Sequence, residues 1–366
     1  MLSSPMAVSR RETMGAWLRM WCWRGTVCAS FVFAALLGTA AAEDARFFRI
    51  GTAATAGSFF EIGGIVATAI SSPPGTPACT RGGNCGVPGL VAVAQTTQGS
   101  VDNLRQINNG QIESGFAQAD LAGWAYAGSN VFTEAGPMPK LRAIASLFPE
   151  ALHLVVRADS PIHALADLSG KTVALGEPGS GTNANARVLL AAMKFGEGDL
   201  ARKFLSPAQA AAALRDGTID AFFVVGAPPI PAVRELAASV PIRLVPIDAD
   251  IVGHLEREYA FYHPATIPAD TYPGVSEDTN SAGFFALWLV GAGIEADLIY
   301  AITKSLWSDA TGKLMMALPA GQRIDLDRAL AGLSVPLHPG AERFYREAGK
   351  PIGDTPRIKE VEEHSK

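Results

Sequence analysis

The stretch Lys171-Thr172-Val173-Ala174-Leu175-Gly176-Glu177-Pro178-Gly179-Ser180-Gly181-Thr182-Asn183 decides how this chain is read. Residues 172–175 form an apolar strand that ends in a loop of small residues. A helix opens at Thr182/Asn183 and runs through Ala184-Asn185-Ala186-Arg187-Val188-Leu189-Leu190. Hydroxyl side chains and free backbone N–H groups therefore gather at a helix N-terminus, where the macrodipole favours a carboxylate or phosphate. A nucleotide-binding loop would carry Lys after the last glycine, and Thr182 stands there instead. The stretch points to plain anion capture rather than nucleotide chemistry.

Working outward, the same junction recurs. Gly51-Thr52-Ala53-Ala54-Thr55-Ala56-Gly57-Ser58 joins a strand over 47–52 to a helix over 61–71, with Phe59 and Phe60 at its entry. Gln95-Thr96-Thr97-Gln98-Gly99-Ser100 joins a strand over 91–95 to a helix that begins at Ser100. A short strand over 115–118 runs into a helix over 119–126. Two strands follow at 142–146 and 152–156, a turn at 165–170, a helix over 184–194 and another over 208–216, a strand over 221–225 and an apolar segment over 244–247. This alternation is α/β, with ligand-facing loops at strand ends that can converge on one cleft. The apolar run over 284–294 contains Gly291 and Gly293 and reads as a buried strand, not a membrane span.

The first 42 residues read as a cleavable secretory leader. Arg10, Arg11, Arg19 and Arg24 form a basic start, an apolar run covers 27–37, and Ala40-Ala41-Ala42 precedes Glu43. An uncleaved N-terminal anchor is the alternative. The whole chain holds 35 acidic and 30 basic residues, and the leader takes four of the basic ones with it, so the exported part is acidic. It has no basic block, which argues against nucleic acid as a partner. The remaining length suits two domains, and the charged segment 357–366 reads as a frayed end. Cys79 and Cys85 are the two cysteines left. In an oxidising compartment a disulfide is expected, within an exposed insertion; a two-cysteine metal site would have no His or acidic companion nearby.

Taken in order, several segments carry a resemblance. They are Ile50-Gly51-Thr52 with the loop to Phe60 and Gly63-Gly64; Gly99-Ser100-Val101-Asp102-Asn103-Leu104; Gly115-Phe116-Ala117-Gln118-Ala119-Asp120; and Leu141-Arg142-Ala143-Ile144-Ala145-Ser146-Leu147. Gly179-Ser180-Gly181-Thr182 with Asn185-Ala186-Arg187 and Asp216-Gly217-Thr218-Ile219-Asp220-Ala221-Phe222-Phe223 follow. Ile267-Pro268-Ala269 with Tyr272-Pro273-Gly274 and Pro336-Leu337-His338-Pro339-Gly340-Ala341 complete the series. In this order they resemble the TAXI family, the solute-binding subunits of one class of TRAP transporter.

The resemblance implies a two-lobed type II periplasmic binding protein fold with two crossing strands. One lobe would comprise 43–152 plus 250–366 and the other 153–249, with crossings near 152–157 and 246–250. It implies a periplasmic protein, expected to be a monomer, that captures a small organic acid or an acidic amino acid such as glutamate. That solute would pass to a membrane permease driven by an ion gradient. No cofactor and no metal are implied. Two departures stand out: Ala53, Ala54 and Ala56 where the family is richer in glycine, and Phe59-Phe60 where a Tyr pair is common. A contact made elsewhere by a phenol has no counterpart here.

Residue by residue, Ser180, Gly181, Thr182 and Asn183 are expected to hold one carboxylate through N–H and hydroxyl donors. Thr55, Ala56, Gly57 and Ser58 would hold the solute from the other lobe, with Phe59 against its carbon chain. Ser100 and Gln118 would read the remaining polar groups, Gln118 being equally readable as a structural amide. Asp120 is expected to cap the following helix. Tyr262 and His263 are placed near the hinge. An enzyme is the main rival class, but G-x-S-x-G fails at Pro178, H-E-x-x-H is absent, and no carboxylate pair stands at a strand end. A periplasmic sensor module docking to a membrane receptor would carry the same lobes.

Overall fold

In the computed structural model, residues 45–77, 79–81, 85–259 and 261–353 are described. The expected leader and the charged segment 357–366 lie outside them. Strands and helices alternate through the first half as β1 (Arg46–Gly51), α1 (Ser58–Ile70), β2 (Ser71–Ser72), β3 (Val87–Pro88), β4 (Leu90–Gln95), α2 (Ser100–Asn108), β5 (Ser114–Gln118), α3 (Ala119–Ala127) and β6 (Leu141–Arg157). The middle holds β7 (Thr172–Ala174), α4 (Gly181–Ala192), β8 (Ala201–Lys203), α5 (Pro207–Arg215), β9 (Ala221–Gly226), α6 (Pro231–Ser239) and β10 (Ile242–Leu244). The remainder comprises α7 (Ala249–Glu258), β11 (His263–Ile267), β12 (Thr279–Gly291), α8 (Ala296–Leu306), α9 (Asp309–Met315) and α10 (Pro339–Glu347).

One sheet carries the α/β class expected from the alternation. Its order is β4-β1-β5-β12-β6-β9-β7-β8, with β10 added to β6 and β11 to β12. β1 is parallel to β4 and β5, and β7 is parallel to β8 and β9. Between these parallel blocks lies the antiparallel pair β12–β6. The two strands read at 142–146 and 152–156 are one strand of 17 residues. Pro149, which lacks an N–H, sits in regular register opposite Phe285; the register shifts lie further along, at Ala286/Leu287 and Trp288/Leu289, where Leu147 and Ile144 of β6 are the extra residues.

The length of β6 sets the geometry of everything else. Residues 141–151 of β6 pair with β12, and residues 151–156 pair with β9. The first parallel block ends at Gln118, which lies opposite Ala286, itself opposite Phe148. The second block runs the other way and ends at Gly226, opposite Ala151. The carboxyl ends of both blocks therefore face each other at the level of residues 148–151 of β6. Crevices at strand carboxyl ends are where open α/β sheets bind ligands.

Both faces of the sheet are covered, which explains the continuous apolar run of β12. Phe284, Leu287 and Leu289 join the core on one face with Leu152, Leu154 and Val156. Ala286, Trp288 and Val290 join the core on the other with Phe48, Ile50, Phe116 and Phe148. That face holds a chain of edge-on rings, Phe59 against Phe116 and Phe148, and Phe116 against Trp288. Buried polar groups tie the blocks to their helices. Asn103 Nδ2 donates to the carbonyls of Gly51, Thr52 and Phe116 at 3.1, 2.7 and 2.8 Å, fixing α2 against the ends of β1 and β5. Cys79 and Cys85 are joined in a disulfide, as expected. Among the described residues, no helix is long and apolar enough to cross a membrane.

Candidate functional site

A cleft of about 600 Å³ of atom-free space, partly open to solvent, lies where the two blocks face each other. The loop after β1 contributes Ala53, Ala54, Gly57, Ser58 and Phe59, and the loop before α2 contributes Gln98, Gly99 and Ser100. Gln118 ends β5 and Glu150 projects from β6. The opposite wall is Gly176, Glu177, Ser180, Gly181 and Thr182, closed by Leu205, Pro207 and residues 223–225 of β9.

The β7–α4 wall is built by local rules. Ser180 N–H donates to Glu177 O at 3.0 Å, closing a turn over Glu177-Pro178-Gly179-Ser180. Pro at its second position and Gly179 at its third, with φ of 89°, match a type II turn, which needs a residue tolerant of positive φ there. The helix starts at Gly181, earlier than the sequence reading placed it. Ser180 is the N-cap, its Oγ accepting from Asn183 N–H at 3.0 Å while donating to Glu177 O at 2.7 Å. Of the first-turn amides, those of Gly181 and Thr182 therefore remain without an acceptor among the described residues. They open on the cleft. Thr182 Oγ1 accepts from Val225 N–H at 3.0 Å, tying α4 to β9 and leaving its hydroxyl proton free to donate.

α1 faces the same space. Its N-cap is Gly57, and no side chain caps it. Ser58 is committed elsewhere: its Oγ accepts from Ala227 N–H at 3.1 Å and donates to Ala227 O at 3.3 Å. The Ala-rich loop before it needs no left-handed residue, since Ala53, Ala54 and Ala56 all have negative φ. α2 differs. Its Val101 and Asp102 N–H groups donate to Gly179 O at 3.1 and 3.2 Å, so the opposite wall already fills that helix end.

Of the residues singled out in the sequence, Gly57, Ser58, Phe59, Ser100, Gln118, Ser180, Gly181 and Thr182 lie on the cleft. Thr55, Ala56 and Asn183 do not. Thr55 is exposed, and Ala56 O accepts from Ala232 N–H of α6 at 3.3 Å. Asn183 turns its amide inward to the carbonyls of Leu175 and Gly176. Asp120 does not cap α3: it lies inside the first turn, fully buried, and neither carboxylate oxygen has a partner in hydrogen-bond geometry. Tyr262 sits behind the cleft with its hydroxyl on Asn185 Oδ1, and His263 is stacked on Phe285.

Several lining residues escaped the sequence reading. Gln98, Gly99, Gly176 and Glu177 were within the quoted loops but had no assigned role. Glu150 was missed altogether, although an acid in the apolar run of β6 was a signal. It is 3% exposed and its Oε2 has no partner among the described residues. Burial, with repulsion from Asp120, raises its carboxyl to about 8 despite the Gln118 amide. Burial raises Asp120 to about 7 and also raises Glu177. Among the described residues no Lys, Arg or His lines the cleft. Among the described residues no cluster of His, Cys, Asp or Glu is arranged to hold a metal ion.

A family model described as the NMT1-like family matches residues 50–349. The chain belongs to the NMT1-like family. Its architecture is mixed α/β around one central sheet. Among solved structures it is similar to the alkanesulfonate-binding protein SsuA from Xanthomonas axonopodis pv. citri bound to MOPS, at 18% identity over 84% of this chain and 85% of that one, with a TM-score of 0.43. The periplasmic aliphatic sulphonate binding protein SsuA from Escherichia coli shows 17% identity over 84% and 94%, with a TM-score of 0.39. A putative L-cystine ABC transporter from Listeria monocytogenes shows 12% identity over 78% and 98%, with a TM-score of 0.44.

Proposed function

We propose that this NMT1-like protein is the extracytoplasmic solute-binding component of a TRAP-type transporter of the TAXI kind. It captures a small organic acid or acidic amino acid and delivers it to membrane permease subunits. One observation carries the reading. The unfilled N-terminal amides of α4 and of α1 open on one cleft from opposite sides, and among the described residues no cationic side chain lines it. Backbone donors at helix ends hold a carboxylate through geometry and partial charge.

In this reading the protein has two lobes, 43–152 plus 250–366 and 153–249, and the solute lies between them. The change of partner along β6 at Ala151, from β12 to β9, supports that division. Ser58 with Ala227, Ala56 with Ala232, and Gly179 with Val101 and Asp102 then act as bonds between lobes in a closed arrangement. A solute drives closure only as far as it binds the closed form better.

Mass spectrometry of small molecules released from the purified protein, followed by calorimetric titration with the acid found, tests the reading. A released mono- or dicarboxylate that rebinds without being turned over is the expected result. Steady turnover of that compound would make the protein an enzyme, and a released cation or neutral sugar would remove the anion-capture assignment.

A further inference from the structure

Glu150 lies on β6 between the levels at which the two strand blocks end, Gln118 at Phe148 and Gly226 at Ala151. It is buried, it lines the cleft, and its Oε2 meets no donor among the described residues. Behind it Asp120 is buried, and among the described residues neither oxygen has a partner in hydrogen-bond geometry, although the Leu121 N–H and the Asn185 amide act to lower it against the dominant effect of burial. The amides between the two acids are already engaged. Asn185 Nδ2 donates to Gln118 Oε1 at 3.3 Å and to Gly181 O at 3.2 Å, and Asn185 Oδ1 accepts the Tyr262 hydroxyl.

The groups facing Glu150 supply no counter-charge. α3 brings Asp120, and the β7–α4 loop brings Glu177. β6 itself brings His153, whose Nδ1 lies 2.9 Å from Ala151 O and whose Nε2 lies 3.0 Å from the Tyr272 hydroxyl. Burial lowers the imidazole to about 4, so it is neutral; with Nδ1 donating to Ala151 O, Nε2 accepts from the Tyr272 hydroxyl, which itself accepts from Ile230 N–H. Tyr262 stays protonated. β12 opposes Glu150 with Phe284 and β5 with Gln118. Two buried carboxyls with no base cannot both be ionised. Burial raises both, and repulsion from Asp120 raises Glu150 in addition, so the acid that faces the cleft keeps its proton and enters it as a neutral donor.

Resting on the anion-capture reading above, we propose that Glu150 contacts the solute as a proton-bearing donor. Its neutral carboxyl gives a hydrogen bond to an anionic group, so that at a pH where the empty cleft has lost this proton the acid enters together with one. The negative charge of the solute then stabilises the neutral carboxyl further. Binding is insensitive to pH while Glu150 is protonated, and weakens as pH rises past the point where the empty cleft would lose that proton. A group that needs an ionised partner, such as an ammonium, is not favoured at this position.

The test uses the purified exported protein with succinate, 2-oxoglutarate and L-glutamate as probes, plus any acid released from it. Calorimetry in two buffers of different ionisation enthalpy counts protons taken up by the wild-type protein. Above about pH 8 the count should approach one per acid bound, and the dissociation constant should rise by roughly tenfold per pH unit. Glu150→Gln keeps an N–H donor without a titrating group. Whatever its affinity at pH 7, it should take up no proton on binding the same acid and should lose the tenfold-per-unit weakening above about pH 8. Binding without proton uptake or pH dependence in the wild-type protein leaves anion capture standing and overturns the role of Glu150. Binding that strengthens at high pH and is abolished in Glu150→Gln overturns it too, in favour of an ionised carboxylate serving a cation. If no acid binds at any pH, the anion-capture reading fails first and this proposal with it.

Discussion

Replacing Gly181 with alanine tests how closely the two walls of the cleft must meet. A Cβ at this position would lie 1.8 Å from Gln118 Oε1, 2.6 Å from Gln118 Cδ and 2.9 Å from Ser100 Oγ. Restoring ordinary contact moves Oε1 by more than about 1.5 Å. Gln118 has little room to yield, because it is 3% exposed and its Oε1 holds the Asn185 amide. Turning it away breaks a hydrogen bond worth about 1 kcal/mol, and overpacking adds about 1–3 kcal/mol. The close approach of α4 to β5 therefore costs about 2–4 kcal/mol more in Gly181→Ala. Moving the walls apart relieves that strain, and alanine in the first turn of α4 recovers part of the helix propensity that glycine lacks. Affinity for the bound acid, measured by calorimetric titration, should fall by about thirtyfold to several hundredfold. The melting temperature of the solute-free protein should hardly change. Wild-type affinity in Gly181→Ala would refute the closeness of the walls in the bound state, and a collapse of thermal stability would place the contact in the fold instead of in binding.

Three further outcomes are expected. Thr182→Val leaves the Val225 N–H without its acceptor, so denaturant melts should show a loss of about 1–3 kcal/mol, and any additional loss of affinity measures the hydroxyl's donation to solute. The raised carboxyls of Glu150, about 8, and Asp120, about 7, make the unfolded chain bind fewer protons than the folded one. Their stabilising effect is complete below the ordinary carboxyl range and is lost as pH rises towards 7–8, at about 1 kcal/mol per unit for each group. His153, lowered to about 4, acts oppositely, losing stability as pH falls from its ordinary 6.5, so above that value the decline is unopposed. Urea melts between pH 6.5 and 8 should show the decline, and Glu150→Gln should flatten it; a flat wild-type profile would contradict the buried-acid pair. Replacing Cys79 and Cys85 with serine opens a disulfide spanning six positions that lies off the cleft, so affinity should be unchanged in titration while stability falls by no more than about 2 kcal/mol.

The strand-loop-helix junctions were legible because glycine, hydroxyl and turn residues act locally. The cap at Ser180 and the start of α4 follow from four consecutive residues. The sequence reading displaced the helix start because Ser-Gly-Thr-Asn offers more than one capping residue. What escaped depends on distant partners. The gap read between 146 and 152 closes only once β12 is seen to pair along residues 141–151 of β6. Glu150 lies in that gap, and only the meeting of two strand blocks makes it a cleft residue. Residues 223–225 look like ordinary core because backbone direction, not side-chain type, brings them to the cleft. Asp120 had the spacing of a cap, but its carboxyl is buried behind Gln118 and Asn185, a fact no local pattern contains.

The carbonyl of Gly179, lodged on the first amides of α2, makes the chain a surrogate solute for its own helix. In the two-lobe reading proposed above, a clasp of backbone on backbone does not depend on what lies in the cleft, so it would populate the shut form to some extent when nothing is bound. Observed affinity equals intrinsic affinity scaled by the fraction of molecules already competent. Each 1.4 kcal/mol or so that the clasp adds to shutting tightens every solute alike, by up to tenfold, and distinguishes none of them. Strength of capture and choice of cargo are thereby separable in this protein, the first adjustable at Gly179 and α2, the second at the side chains that look into the cleft.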